Sequence, residues 1–136
     1  MAALSSYMAN KIIDHMYRNQ AFTPPSTVYV ALFTASTGLS TNNPSAEVSG
    51  NGYARQAIAL DPASGGATAN TADIEFPVAT GSWGTITHVA IVDHPSNTTW
   101  GTNVNVLAYA AVSPNQAIAS GNIFMLPAGD VDLSFE

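Results

Sequence analysis

Two pairs of carboxylates stand two residues apart, Asp73 with Glu75 and Asp130 with Asp132. In an extended chain that spacing puts both members on one strand face. There a pair can hold a calcium ion or divide acid and base work between them. A solvated strand face needs the same pattern, and outward acids discourage edge-to-edge pairing, so both pairs read as surface. His15, His88 and His94 lack metal-ligand spacing such as HxxxH and read as structural histidines. The sequence holds no GxSxG elbow, no phosphate-cradling glycine loop and no nucleophile beside a recognisable base. There is no cysteine for thiolate chemistry. Asn97-Thr98-Thr99 matches a glycosylation sequon, which carries little weight without a secretion signal. No catalytic residue, metal site or cofactor is expected.

The residue that asks for an explanation is Arg55, in the stretch EVSGNGYARQAIAL at 47–60. Lys11, Arg18 and Arg55 are the whole basic inventory. If residues 53–60 form a strand, Tyr53, Arg55, Ala57 and Ala59 share one face, and Gln56, Ile58 and Leu60 the other. The alanines would let another backbone pass closely. A guanidinium there calls for a carboxylate, from Glu47, Asp73 or Glu75 or from a neighbouring chain. The blander alternative is a surface salt bridge worth up to about 1 kcal/mol. Trp83 and Trp100 sit in glycine-flanked stretches, GSWGT and TTWGT. Trp83 directly precedes a strand and reads as core. Trp100 reads equally as a cap on the core, a platform for a sugar ring or an anchor at a protein interface.

These residues are positioned by a chain that is mostly β. Residues 5–19 form the one convincing helix, capped by Ser5 or Ser6. Leu4, Met8, Ile12 and Met16, with Ile13 and Tyr17 beside them, make its expected core stripe. Asp14 and Arg18 form an i,i+4 pair, and Pro24-Pro25 closes the segment. Thr27–Phe33 reads as a central strand, apolar on both faces and so covered on both sides, with the helix as one possible cover. Residues 34–52 are a loop long enough for a functional arm or a mobile connection. Further strands are expected over 53–60, 72–78, 85–93 and 104–112, with a turn at Ser113-Pro114-Asn115, and two short ones follow around Pro127-Ala128-Gly129. Ile74, Phe76 and Val78 should point one way, as should Val131, Leu133 and Phe135. This spacing of strands and turns predicts one domain over 1–136, an all-β sandwich of jelly-roll type with one N-terminal α-helix.

With 136 residues the chain can bury a real core. Charged residues are 9% of it, against about 25% in an average protein, and the net charge is −6. Few ions must lose water when such a surface meets another, which suits a subunit that lives bound to neighbours. Three cations cannot build the patch that nucleic acid requires. No 18-residue apolar run suggests a membrane span, and the N-terminus is not patterned as a secretory signal.

NGYARQAI, FPVATGSWGTITHVAIVD, VLAYAAV and LPAGDVDLSF resemble a family of small virion proteins of tailed bacteriophages, whose members are labelled tail fibre or head decoration protein. The opening LSSYMANKIIDHMYRNQAFTPPSTVYVALFTAS is similar to the same family. The loops over 38–49 and 95–103 diverge. The matching positions are Gly52, Tyr53, Ala54, Arg55, Phe76, Pro77, Trp83, Gly84, Thr85, His88, Val89, Pro127, Ala128, Gly129 and Asp130. The resemblance implies a structural virion protein without a catalytic site. It places the protein on the virion, the capsid surface preferred, after synthesis in the host cytoplasm. The leading expectation is a capsid decoration, or cement, protein that braces the shell as a homo-oligomer, a trimer favoured. Its partners would be capsid or other virion proteins, with no nucleic acid and no membrane. A tail or tail-fibre component and a carbohydrate-binding adhesin using Trp100 are the alternatives. An Asp73/Glu75 hydrolase is a further class and is not preferred. Tyr53, Arg55 and Trp100 are the candidate subunit or capsid contacts. Gly52, Phe76, Trp83, His88 and Asp130 are the candidate structural anchors.

Overall fold

Residues 28–33 carry β-branched, aliphatic and aromatic side chains in unbroken succession, so both faces of any strand they form must be hidden from water. In the computed structural model, which describes residues 2–135, they are strand β2 (Val28–Phe33), with Val30, Ala31, Leu32 and Phe33 all buried. The strand lies inside a five-stranded antiparallel sheet. Its other strands are β1 (Ala3–Leu4), β3 (Gln56–Ile58), β6 (Gly84–Val92) and β7 (Val106–Ile118), in the spatial order β1-β7-β6-β2-β3.

Each face of the sheet has its own core. Val30, Leu32, Ile58 and Ile86 point to one face and meet Ile74, Phe76, Trp83, Ile118 and Phe124. Two small antiparallel ribbons complete that side: β4 (Ala67–Ala69) with β9 (Asp132–Ser134), and β5 (Ile74–Glu75) with β8 (Met125–Leu126). Ala31, Phe33, Ala90, Val92 and Val106 point to the other face and are covered by Leu39 and Val104, which come from loops. The all-β class with a single helix is therefore the observed one. The layer facing the sheet consists of two-stranded ribbons in place of a continuous second sheet, because Pro62, Gly65, Gly66, Pro77, Pro127 and Gly129 interrupt the pairing every few residues.

Several local expectations are corrected. The helix α1 spans Ser6–Tyr17 with Ser5 as its N-cap, whose hydroxyl accepts from the Met8 N–H. Ser5 is fully buried and donates to the Val106 carbonyl. Yet no helical residue is buried, and Ile13, Met16 and Tyr17 are exposed. The helix packs on the β1–β7 edge of the sheet instead of across its face, so its apolar stripe is only partly covered. The loop over 34–52 is not a free arm. Leu39, Asn42, Pro44 and Val48 are buried in it, and its backbone is tied to β2 through Thr34 N–H to Ala46 O and Val48 N–H to Leu32 O. No turn reverses the chain at Ser113-Pro114-Asn115, because β7 runs on to Ile118. The prolyl segment is absorbed as a bulge in which residues 112–115 stand opposite Thr87 alone. The strand expected over 53–60 shrinks to β3, and that over 72–78 shrinks to β5, leaving Val78 exposed.

A polar chain fixes the loop cover. Asp93 accepts from the Asn105 backbone and side-chain amides, Asn42 donates to Asn105 Oδ1 at 2.9 Å, and the Val106 N–H donates to Asn42 Oδ1 at 2.7 Å. Asn42 holds a left-handed backbone, φ 61°, which asparagine tolerates better than most residues. Asn42→Ala strands the buried Val106 N–H and strains the backbone. It should lower the unfolding free energy by about 1–3 kcal/mol, read from the urea midpoint at unchanged m-value.

Candidate functional site

Arg55 lies one residue before β3 and its side chain is only 3% exposed. Its Nε and one terminal nitrogen each donate to Glu47, at 2.7 Å to Oε1 and 2.7 Å to Oε2. Of the three carboxylates the sequence offered, Glu47 is the partner, and the grip is bidentate. The other terminal nitrogen donates to the His94 carbonyl at 2.8 Å, and the guanidinium lies 5.0 Å from the centre of the Trp100 ring. Arg55 thus joins three segments: the 34–52 loop, the entry to β3 and the loop after β6. Ala57 and Ala59 are exposed while Arg55 is buried. The single face imagined for them does not exist, because the regular strand begins only at Gln56.

Tyr53 extends the cluster into the first core. Its hydroxyl donates to Glu47 Oε1 at 2.9 Å and accepts from the Leu32 N–H at 3.0 Å. Its ring stacks on Phe76 at 6.2 Å and meets Trp83 edge-on at 5.5 Å. Burial, with the negative charge of Glu47 added, pushes the phenol far above its ordinary range. Burial alone would lower the Arg55 pKa, but the hydrogen bonds and charge of Glu47 outweigh it and the net shift is upward. Both groups are locked in one protonation state across the physiological range, which suits a clamp and not a proton carrier.

The remaining sequence candidates disperse. Trp83 is buried and donates its indole N–H to the Asn51 carbonyl at 2.9 Å. Phe76 is buried against Phe124. Gly52 has φ 81°, and a Cβ there would lie 3.1 Å from the Val78 carbonyl, so only glycine fits comfortably. His88 meets the Thr87 hydroxyl at 2.9 Å, half-buried on β6. His15 contacts the Gln20 carbonyl. His94 Nδ1 accepts from the Ser96 and Asn97 N–H groups, shaping its loop. Asp130 is exposed in a turn closed by its own N–H to Pro127 O. Asp73 caps the same turn by accepting from the Ala128 N–H at 2.8 Å, while Glu75 is exposed on β5. Among the described residues, no group of three or more His, Asp or Glu side chains is placed to hold a metal ion. No helix among them is long and apolar enough to cross a membrane.

Trp100 is half-buried, between Arg55 and Phe33, whose ring lies 6.2 Å away. With Glu47, Tyr53, Arg55, Pro44 and Pro95 it lines an open groove of about 480 Å³. The floor of that groove is a charge pair already satisfied within the chain. The polar residues that sequence reasoning missed, the buried Asn42 and the half-buried Asp93 and Asn105, are loop residues of types common in any turn, so nothing in their spacing marked them.

Removing one partner of a buried ion pair leaves the other uncompensated. Glu47→Ala and Arg55→Ala should each cost roughly 3–5 kcal/mol of stability, and the double variant should fall well short of their sum in chemical denaturation. Arg55→Lys should also destabilise, since an ammonium cannot reproduce the fork. The raised phenol pKa makes a second expectation. The folded protein keeps the Tyr53 proton while the unfolded chain releases it above about pH 10. The contribution of Tyr53 is thus complete below that pH and declines as pH climbs beyond it. In Tyr53→Phe the alkaline loss of stability should be shallower by up to about 1.4 kcal/mol per pH unit, measured from urea midpoints.

Against known proteins, a family model described as the podophage GP4 fiber I protein gp80 matches residues 3–134. No curated protein matches the chain. The match covers the residues that form the sheet, both ribbons and the helix, and the chain belongs to the Gp80 family of phage virion and tail-fibre proteins.

Proposed function

We propose that this protein is a non-enzymatic structural subunit of a podophage fibre, working by surface contact with other virion chains. The observation that carries this reading is the family match over residues 3–134, whose description is that of a fibre protein. The surface agrees with it. Charged residues are 9% of the chain, and four of them are paired within it, Arg55 with Glu47 and Arg18 with Asp14. Little ionic hydration opposes contact. The most constrained polar cluster acts as a clamp between segments, which is what a load-transmitting subunit needs.

Capsid decoration, the leading expectation from sequence, rests on the resemblance to proteins labelled head decoration and on an ion-poor surface that suits fibre and shell alike; the matching family's description is of a fibre protein, so the fibre is preferred. The adhesin reading loses ground because Trp100 lies over the Arg55 guanidinium and beside Phe33, leaving less of its ring for a sugar. A symmetric homo-oligomer, a trimer favoured, remains the expected assembly, with protein and not nucleic acid as partner.

Antibody labelling of intact particles in the electron microscope tests the placement. Label on the tail fibres, absent from tailless heads, is expected. Label spread over the heads would support shell decoration and overturn the fibre assignment.

A further inference from the structure

Asn51 is the one asparagine of this chain that is followed by glycine. Glycine has no Cβ to shield its own nitrogen, so an Asn-Gly step is where a backbone nitrogen most easily reaches the side-chain amide before it. The Gly52 nitrogen, its proton lost to solvent base, attacks Asn51 Cγ. The Cγ–Nδ2 bond breaks, ammonia leaves and a five-membered imide forms. Water then adds to one of the two imide carbonyls and opens the ring to aspartate or isoaspartate. One amide and one water become one carboxylate and one ammonium, with no oxidant or reductant involved.

The fold sets this step at the centre of a tight turn. The Tyr53 N–H donates to the Gly50 carbonyl at 3.0 Å, and Asn51 and Gly52 both have positive φ, 52° and 81°, as in a type I′ turn. Asn51 is exposed, so water and base reach it, and burial offers no protection. Rotation does. In the left-handed well ψ is about +30 to +60°, and ring closure needs the Asn51 Cα–C bond turned far out of that well. The same rotation swings the Asn51 carbonyl, which two donors hold: the Thr80 N–H at 3.0 Å and the indole N–H of the buried Trp83 at 2.9 Å. The side chain is held too. Its Nδ2 donates to the Ser82 carbonyl at 3.0 Å, and a Cβ built on Gly81 would lie only 2.7 Å from Asn51 Cγ. Reaching the ring geometry gives up these bonds together and leaves the Trp83 N–H buried without its acceptor.

We infer that Asn51-Gly52 is a deamidation site latched by residues 80–83, shut in the folded subunit and reactive only when the 50–53 turn comes away from them. The product cannot close the latch again. Aspartate has lost the donor to Ser82, and isoaspartate runs the backbone through the side-chain carbon, which lengthens the turn. That turn separates Glu47 from Tyr53 and Arg55, so a chain modified there loses the register of the clamp. Each opening of the turn thus risks a permanent change.

Peptide mapping by mass spectrometry on the full chain, followed over time in one mildly alkaline buffer with and without unfolding urea, tests this. In urea Asn51 should be the fastest asparagine to deamidate. In the folded chain it should react slower by about tenfold or more, since only the opened fraction reacts. Trp83→Phe removes one holder of the carbonyl and should speed the reaction in the folded state. Phe124→Leu, a core change that leaves the turn's bonds in place, should not do so when urea brings the two variants to equal global stability. Should Trp83→Phe fail to unfold cooperatively, Gly81→Ala replaces it, because its Cβ displaces the Asn51 side chain. Equal rates at Asn51 in the folded and unfolded chain, a faster asparagine elsewhere in urea, or equal acceleration by the latch variant and Phe124→Leu would overturn the inference.

Discussion

A strand without a polar face sets the terms for everything else in this molecule. β2 presents Val30 and Leu32 to one side and Ala31 and Phe33 to the other, all buried. A sheet built around it needs a lid on each face. The ribbons β4–β9 and β5–β8 supply one lid with side chains from regular pairing. The other comes from loops, and a loop over a hydrophobic face must satisfy its own backbone groups. Asn42, Asp93 and Asn105 meet that demand by hydrogen bonding to one another and to the Val106 N–H.

The Arg55–Glu47 pair joins these loops to the sheet. A buried ion pair is not by itself a strong source of stability, because both ions lose water. What this one provides is geometry. A bidentate fork, a carbonyl acceptor at His94 and the Trp100 ring together allow one arrangement of three segments. Tyr53 then couples that arrangement to the aromatic core through Phe76 and Trp83. An acidic chain with three cations commits one of them to this interior position, and the question raised by an arginine among alanines is answered inside the subunit.

The outside carries few ions, and the Gp80 family membership gives that surface a context in the virion.

The sequence alone determined the all-β class, the single N-terminal helix, the doubly buried strand over 28–33 and the core positions of Trp83 and Phe76, because periodicity and residue type report directly on which side chains must leave water. It also named Glu47, Asp73 and Glu75 as the Arg55 partners available within the chain, with a neighbouring chain as the alternative. Tertiary structure decided the rest. The choice of Glu47 depends on how the 34–52 loop folds back, and that is fixed by distant groups such as Asn105 and Val106. The helix stripe read as core from its spacing, but spacing shows only that a face is apolar, and the docking of α1 on a sheet edge decided that Ile13, Met16 and Tyr17 stay outside. Ser113-Pro114-Asn115 read as a turn from composition, yet the long pairing of β6 with β7 on either side held the chain straight and reduced the turn to a bulge. Local chemistry sets what each segment needs, and only the assembled neighbours determine which need is met and by whom.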